Sequence, residues 1–416
     1  MKIQHKTLVM LFISIFIGTH ENYGQEVRSL SLAQMVDEAL ENNLYIKSTS
    51  LQAAADHSLI GTALDLPKTN LSLTYGQANS MYKDNNFVIN QSLTGLATYG
   101  YQKKYLTQKA DLTLQQVEIT KNELRYQVKQ LYYQLQFHLN KSNLLQQQDS
   151  IYYNFARAAG LRYKTGESNL LEKSTSEMLV HENQNLMLQN EADIQILSSK
   201  LQLLLNSTTL ITTTPLLFEK RTMLAIADTS LELQNPTMEY FKKSILVSSA
   251  FTKTEKNRRM PDLSIGYFNQ SLRGIQNING TERYFGLTDR FQGVSLGLAL
   301  PIWWSAYNAK IASAQIHEKI ADQNLKNYNA QLNNDYFSAL QELKKCNTAL
   351  LYYEQQALTQ ADNILKSAQK SYKSGDINYM EYSNALNKVL SIKNNHLDQL
   401  LKHNLAVIKI EFITGQ

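Results

Sequence analysis

The stretch "RYKTGESNLLE" (residues 162–172) is nearly rewritten as "SYKSGDINYME" (residues 371–381). Basic residues come before each glycine: Arg162 and Lys164 in the first, and Lys373, with Lys370 just ahead of the stretch, in the second. A glycine follows, Gly166 or Gly375, and then a carboxylate, Glu172 or Glu381. Positive charge favours the last turn of a helix, where carbonyls lack partners. Glycine takes the left-handed position just beyond it. Ser168 and Asp376 stand where they could cap a returning helix. Both stretches therefore predict a tight hairpin between two helices. A plain helical turn accounts for the glycine. A carboxylate at the same offset in both copies points to a function for the tip.

The repetition extends outward. "LPKTNLSLTYGQ" (66–77) matches "MPDLSIGYFNQ" (260–270), and "NFVINQSLTG" (86–95) matches "QGVSLGLALP" (292–301). Each half reads helix, strand, strand, long helix, break, helix, a duplication to be read before any motif. Residues 25–206 form the first repeat, 207–234 a Thr-rich linker holding Pro215, and 235–416 the second repeat.

The strands alternate with period two. Leu71, Leu73 and Tyr75 fall on one face; so do Phe87, Ile89 and Leu93, then Leu263, Ile265 and Tyr267, then Val294, Leu296 and Leu298. The intervening residues are mostly polar or small, Val88 and Phe268 excepted. Long internal loops, 76–86 and 269–293, suit the outer side of a membrane barrel. Tyr284, Phe285, Trp303 and Trp304 lie near strand ends, as aromatics do at a membrane–water interface. The fold class is mainly α with a small β layer of four strands.

The helices are long. Residues 97–160 would span about 95 Å and 303–371 about 100 Å at ~1.5 Å per residue. Val117, Leu124, Val128, Leu131 and Leu135 make one coiled-coil seam; Leu332, Tyr336, Ala339, Leu343, Cys346, Leu350, Tyr353 and Ala357 make another. Shorter helices at 30–66 and 169–206, and at 235–260 and 376–414, would stack in pairs beside the long ones. Four oily-faced strands cannot close a barrel, and open sheet edges are not tolerated in hydrocarbon. Several copies arranged cyclically would close it. Three copies give twelve strands, within the range of outer-membrane barrels.

Composition agrees. Gly is 16 and Pro 5, as long helices require. The formal charge of +5 is small and interleaved, which argues against nucleic acid as a partner. Residues 1–24 read as a signal peptide: Lys2 and Lys6 precede an apolar run too short to span a membrane. The single cysteine, Cys346, excludes an intrachain disulfide, and no cysteine stands near Gly24 for a lipid anchor. No phosphate loop, zinc-protease motif, cysteine pair or nucleophile elbow occurs. His138, on its helix seam, reads as a buried or lumen-facing histidine. No catalytic, cofactor or metal residue is assigned, and no enzyme is expected.

With the duplicated strands and with "RYKTGES" and "SYKSGDI" in hand, the chain resembles TolC-type outer-membrane efflux proteins over nearly its whole length. The resemblance implies a homotrimer: a shared twelve-stranded barrel in outer-membrane lipid, on a long periplasmic coiled-coil helical barrel, in a diderm bacterium. It implies a passive exit duct served by a periplasmic membrane-fusion adaptor and an inner-membrane exporter. Tyr163, Gly166, Tyr372 and Gly375 would be the hairpin tips that meet the adaptor. Glu381, and second Glu172, would form an acidic ring at the periplasmic aperture; the family's second acidic position is Asn384 here. Leu71, Leu73, Val294, Leu296 and Leu298 would face lipid. "PDLSIGYFNQSLRG" and "LALPIWWS" resemble components paired with heavy-metal pumps of the resistance-nodulation-division class. Metal, drug and protein exporters share this architecture. The competing reading is a secreted coiled-coil structural or adhesive protein without channel activity.

Overall fold

The structure is a computed structural model describing residues 27–77, 80–214, 218–222 and 235–415. The signal-peptide reading at 1–24 and most of the linker, with Pro215, lie outside the described residues. In chain order the elements are β1 (Val27–Leu30), α1 (Leu32–Asn42), α2 (Leu44–Ser58), a 3-10 turn (Leu59–Leu64), β2 (Asn70–Gly76), β3 (Asp84–Leu93), α3 (Leu96–Lys164) and α4 (Leu170–Leu205). Then follow β4 (Leu210–Thr213), α5 (Pro236–Asn257), β5 (Asp262–Gln270), β6 (Gly274–Ile278), β7 (Thr281–Phe285) and β8 (Phe291–Ala299). The chain ends with α6 (Trp304–Tyr352), a π-helical turn (Tyr353–Ala357), α7 (Leu358–Ser374) and α8 (Tyr379–Thr414).

The two long helices exist. α3 has 69 residues, about 104 Å at the ~1.5 Å rise per residue. α6 runs through the π turn into α7 without a break in chain direction. Most of the expected seam residues are buried, with Leu131, Tyr336 and Tyr353 half-buried. Val117, Leu124, Val128 and Leu135 are inside on α3; Leu332, Ala339, Leu343, Cys346, Leu350 and Ala357 are inside on the second. The short helices flank them: α2 and α4 lie along α3, α5 and α8 along α6, and α5 and α8 also touch α3. The largest apolar core sits at mid-height, where Met35, Val128, Leu135, Leu201, Leu205, Ile211 and Ile408 meet. Residues 218–222 are tied into it. The Arg221 backbone N–H donates to Asn404 Oδ1 at 2.8 Å, and Glu411 accepts from Arg221 Nε at 2.8 Å and from Lys129 Nζ at 2.6 Å.

Three expectations need correction. First, the helix expected over 30–66 breaks at Asn43. The Asn43 Oδ1 accepts from the N–H groups of Tyr45 and Ile46, and its Nδ2 donates to the Leu204 carbonyl at 2.9 Å. One buried side chain thus starts α2 and fixes it against α4. Second, four strands were too few. β1 and β4 pair in parallel across the mid-height core. β6 and β7 form a hairpin in what was read as a bare loop. Its turn is Asn279-Gly280, both with positive φ, as a two-residue hairpin of matching twist requires. Third, the returning tip helices are capped by Asn169 and Asn378, not by Ser168 and Asp376.

The principal sheet has the order β2-β3-β5-β8, antiparallel throughout. Its register puts the oily residues in rows. Leu71, Ile89, Tyr267 and Val294 lie side by side; so do Leu93, Leu263 and Leu298, and Ile265 pairs with Leu296. The opposite face is mostly small and polar, though it includes the large apolar residues Val88 and Phe268. It carries Ser92, Ser264 and Gly297 in one row and Asn90, Gly266 and Ser295 in another. A Cβ added at Gly266 would run into the Ser295 hydroxyl, and one at Gly293 into the Phe268 ring at 2.7 Å. Both edges, β2 and β8, lack a strand partner within the chain among the described residues.

Candidate functional site

The far end of the helices, away from the sheet, is built by the two glycine breaks. Gly166 and Gly375 have φ of +78° and +83°, which glycine adopts at little cost. Around them the Glu167 N–H donates to the Arg162 carbonyl at 2.8 Å, and the Asp376 N–H to the Ser371 carbonyl at 2.9 Å, closing both helix ends. The next helices start at Asn169 and Asn378. Their side chains accept the N–H of Glu172 at 2.9 Å and of Glu381 at 3.0 Å. Each repeated carboxylate is thus the third residue of its helix. Glu381 completes a capping box, its Oε2 accepting the Asn378 N–H at 3.0 Å. Helix-start chemistry therefore explains the shared offset without any further role. Glu381 is exposed all the same.

Glu172 has a different environment. It is 4% exposed. Tyr372 donates its hydroxyl to Glu172 Oε1 at 2.5 Å, Ser168 donates to the other oxygen, and Arg162 Nη1 stands 3.6 Å from Oε1. This bond joins the first hairpin to the second. The Tyr372 ring stacks on Tyr382 with centroids 4.5 Å apart, and Phe155 meets both rings edge-on. The Arg162 guanidinium lies 5.4 Å from the Tyr372 ring centroid. Burial, and then the adjacent Glu172 carboxylate, push the Tyr372 hydroxyl well above the ordinary tyrosine range, so it stays a donor.

Two expectations change accordingly. Glu172 is no free aperture charge, because its oxygens are taken up inside the chain. Tyr372 is not a surface contact; its ring is inside the cluster that welds the hairpins. Tyr163, Gly166 and Gly375 are exposed at the tips. A groove lined by Arg157, Lys164, Lys173 and Lys373 opens beside them. His138 is tied to the neighbouring helix, its Nδ1 2.8 Å from Asn190 Oδ1. The Tyr372–Glu172 bond was not read from sequence. Its signal was the tyrosine three residues before the second glycine, which in isolation says only that an aromatic is there.

At the other end, Leu71, Leu73, Val294, Leu296 and Leu298 lie on one sheet face and are exposed, Leu296 at 80%. An apolar face of that extent marks an interaction surface. Trp303, Trp304 and Tyr284 are exposed as expected, but Phe285 is turned in against Phe291. Among the described residues no group of His, Cys, Asp or Glu could hold a metal ion, and no helix is long and apolar enough to cross a membrane.

Long antiparallel helices carrying a four-stranded open sheet with one oily face make up the fold seen in TolC-type outer-membrane channels. Three solved structures show the likeness. CusC, described for its folding and transmembrane channel formation, superposes with a TM-score of 0.77 at 15% identity, covering 95% of both chains. The CmeC outer membrane channel of Campylobacter jejuni gives 0.75 at 15%, covering 92% of this chain and 85% of its own. The open state of the MtrE outer membrane channel of Neisseria gonorrhoeae gives 0.74 at 14%, covering 92% and 88%. No protein-family model and no curated protein matches the chain.

Proposed function

We propose that this protein is the outer-membrane exit duct of a tripartite efflux system. It acts as a homotrimer, passing substrates passively from a periplasmic adaptor and an inner-membrane pump of the resistance-nodulation-division class to the exterior. The observation that carries this reading is the principal sheet. Its oily face is exposed and both its edges are open. Alone in water or lipid such a sheet is untenable. Three copies joined edge to edge remove all free edges and turn the oily face to lipid. The same symmetry sets three pairs of ~100 Å helices around one axis as a tunnel.

The tips then point into the periplasm. Tyr163, Gly166 and Gly375, with the basic groove beside them, are the adaptor's docking points. Glu381 repeats around the axis as a ring of carboxylates that favours cations at the aperture. No side chain performs bond chemistry; the work is done by the pump. The reading is tested by placing one cysteine on β2 and one on β8 and oxidising the purified protein. Cross-linked trimers support it. A water-soluble, elongated species with no cross-link between these edges supports a secreted coiled-coil protein instead.

A further inference from the structure

Below the sheet the chain changes character within about two helical turns. Leu298, Leu300 and Ile302 carry the oily face past the end of β8, and Trp303 and Trp304 follow, all exposed. At this level sit Lys68 before β2, Lys103 and Lys104 in α3, Lys256 and Arg259 around the end of α5, and Lys310 in α6. The level is shared. Thr98 donates to the Asn257 carbonyl at 3.2 Å, so the start of α3 is beside the end of α5. Arg259 lies 5.3 Å from the Trp304 ring centroid, so the end of α5 is beside the start of α6.

These six cations are exposed, and none has an ion-pair partner among the described residues. The nearby acids are engaged elsewhere or too few. Asp262 accepts the Gly95 N–H at 2.9 Å, and Glu255 pairs with Arg258 at 2.7 Å, leaving Asp65. The far, loop end of the sheet is unlike this. There Arg273, Arg283 and Arg290 alternate with Asp84, Glu282 and Asp289.

We propose that this basic and aromatic band binds the phosphate groups of anionic glycerophospholipids, centred on Arg259 stacked over Trp304. The proposal rests on the barrel reading, which puts the helix end of the sheet at the periplasmic leaflet. An aromatic belt sets headgroup depth. An unpaired guanidinium, its face covered by an indole, keeps its N–H edges for phosphate oxygens. A net positive band prefers a net negative headgroup over a zwitterionic one. The loop end, with mixed signs, offers no such preference.

The test uses the full-length protein purified in detergent and titrated with phosphatidylglycerol or phosphatidylethanolamine under native mass spectrometry. Wild type should retain phosphatidylglycerol preferentially. Each cation removed should weaken retention about five-fold, as expected per basic residue near an anionic surface. Arg259→Gln should cut the preference about five-fold, and Lys103→Gln with Lys104→Gln about twenty-five-fold, while keeping the oligomer; Arg283→Gln at the far end should leave it unchanged. Equal retention of both lipids by wild type, or undiminished preference in the Arg259→Gln and lysine variants, would overturn the proposal. Failure of the chain to enter bilayers at all would overturn the duct reading and this one with it. Entry without lipid preference would overturn this one alone.

Discussion

Replacing Tyr372 by phenylalanine removes one hydroxyl and leaves the ring. The stacking on Tyr382 and the edge contact with Phe155 therefore remain. What is lost is the 2.5 Å bond to Glu172, the link between the hairpins. A hydrogen bond to a charged group contributes about 1.5–3 kcal/mol, and both partners here are buried, so the cost should be ~2 kcal/mol. That is about a thirty-fold rise in local opening. It should appear as faster amide exchange in the two hairpins of the assembled protein, with the mid-height core unchanged. Glu172→Gln and the double variant complete a cycle; the double should cost less than the two singles together. The Tyr372 hydroxyl has its folded pKa raised, so its contribution is complete below the ordinary tyrosine value of about 10 and is lost only as pH rises through the folded value. Tip protection, corrected for intrinsic exchange, should thus be level from neutral pH to about 9. If Tyr372→Phe leaves hairpin exchange unchanged, the bond does not hold the tips together and the reasoning fails.

Three further outcomes follow from the same geometry. Leu296→Arg should cost about 2–4 kcal/mol of membrane assembly and Ser295→Arg much less, since the two side chains point to opposite faces; equal insertion in a vesicle assay would refute the facing. A Cβ added at Gly375 would meet no atom within 4 Å, so the left-handed backbone is the main cost of Gly375→Val, at about 1–2 kcal/mol; assembly should survive while adaptor cross-linking at the tip falls, and unchanged cross-linking would refute the docking role. Burial, with Lys220 adding to it, depresses the His403 pKa against the opposing pulls of Asn404 and Glu354, so the unfolded chain binds its proton more readily and stability should fall as pH drops below about 6.5; denaturant midpoints for wild type should decline with acid, and those for His403→Gln should decline less.

The helical frame was legible because its signals are local and repeated. Seven-residue spacing of Val117, Leu124 and Leu131 names a seam, and glycine after a basic turn names a hairpin. The apolar face of the sheet was legible for the same reason, since alternation is a two-residue pattern. Asn43 was missed although it stands just before an apolar run, where an asparagine starts a helix. Asn279-Gly280 was missed although that pair is the strongest short hairpin signal. Other features were not there to be read. β1 and β4 are four residues each and find one another only across the folded core. The Glu172 carboxylate looked free because its partner Tyr372 is 200 positions away, and nothing local separates a capping acid from a pore charge.

Conductance across a planar bilayer tests the central claim most directly. The purified full-length protein, added from detergent, should give long-lived unitary steps carried by a trimer, with a reversal potential that favours cations in a salt gradient. Glu381→Gln preserves the capping geometry, since glutamine serves equally well at that position. It should therefore shift the reversal potential toward zero without changing the oligomer. A protein that stays in the aqueous phase and never conducts, or conducts with a reversal potential that ignores Glu381→Gln, would contradict the duct in the first case and its acidic aperture in the second.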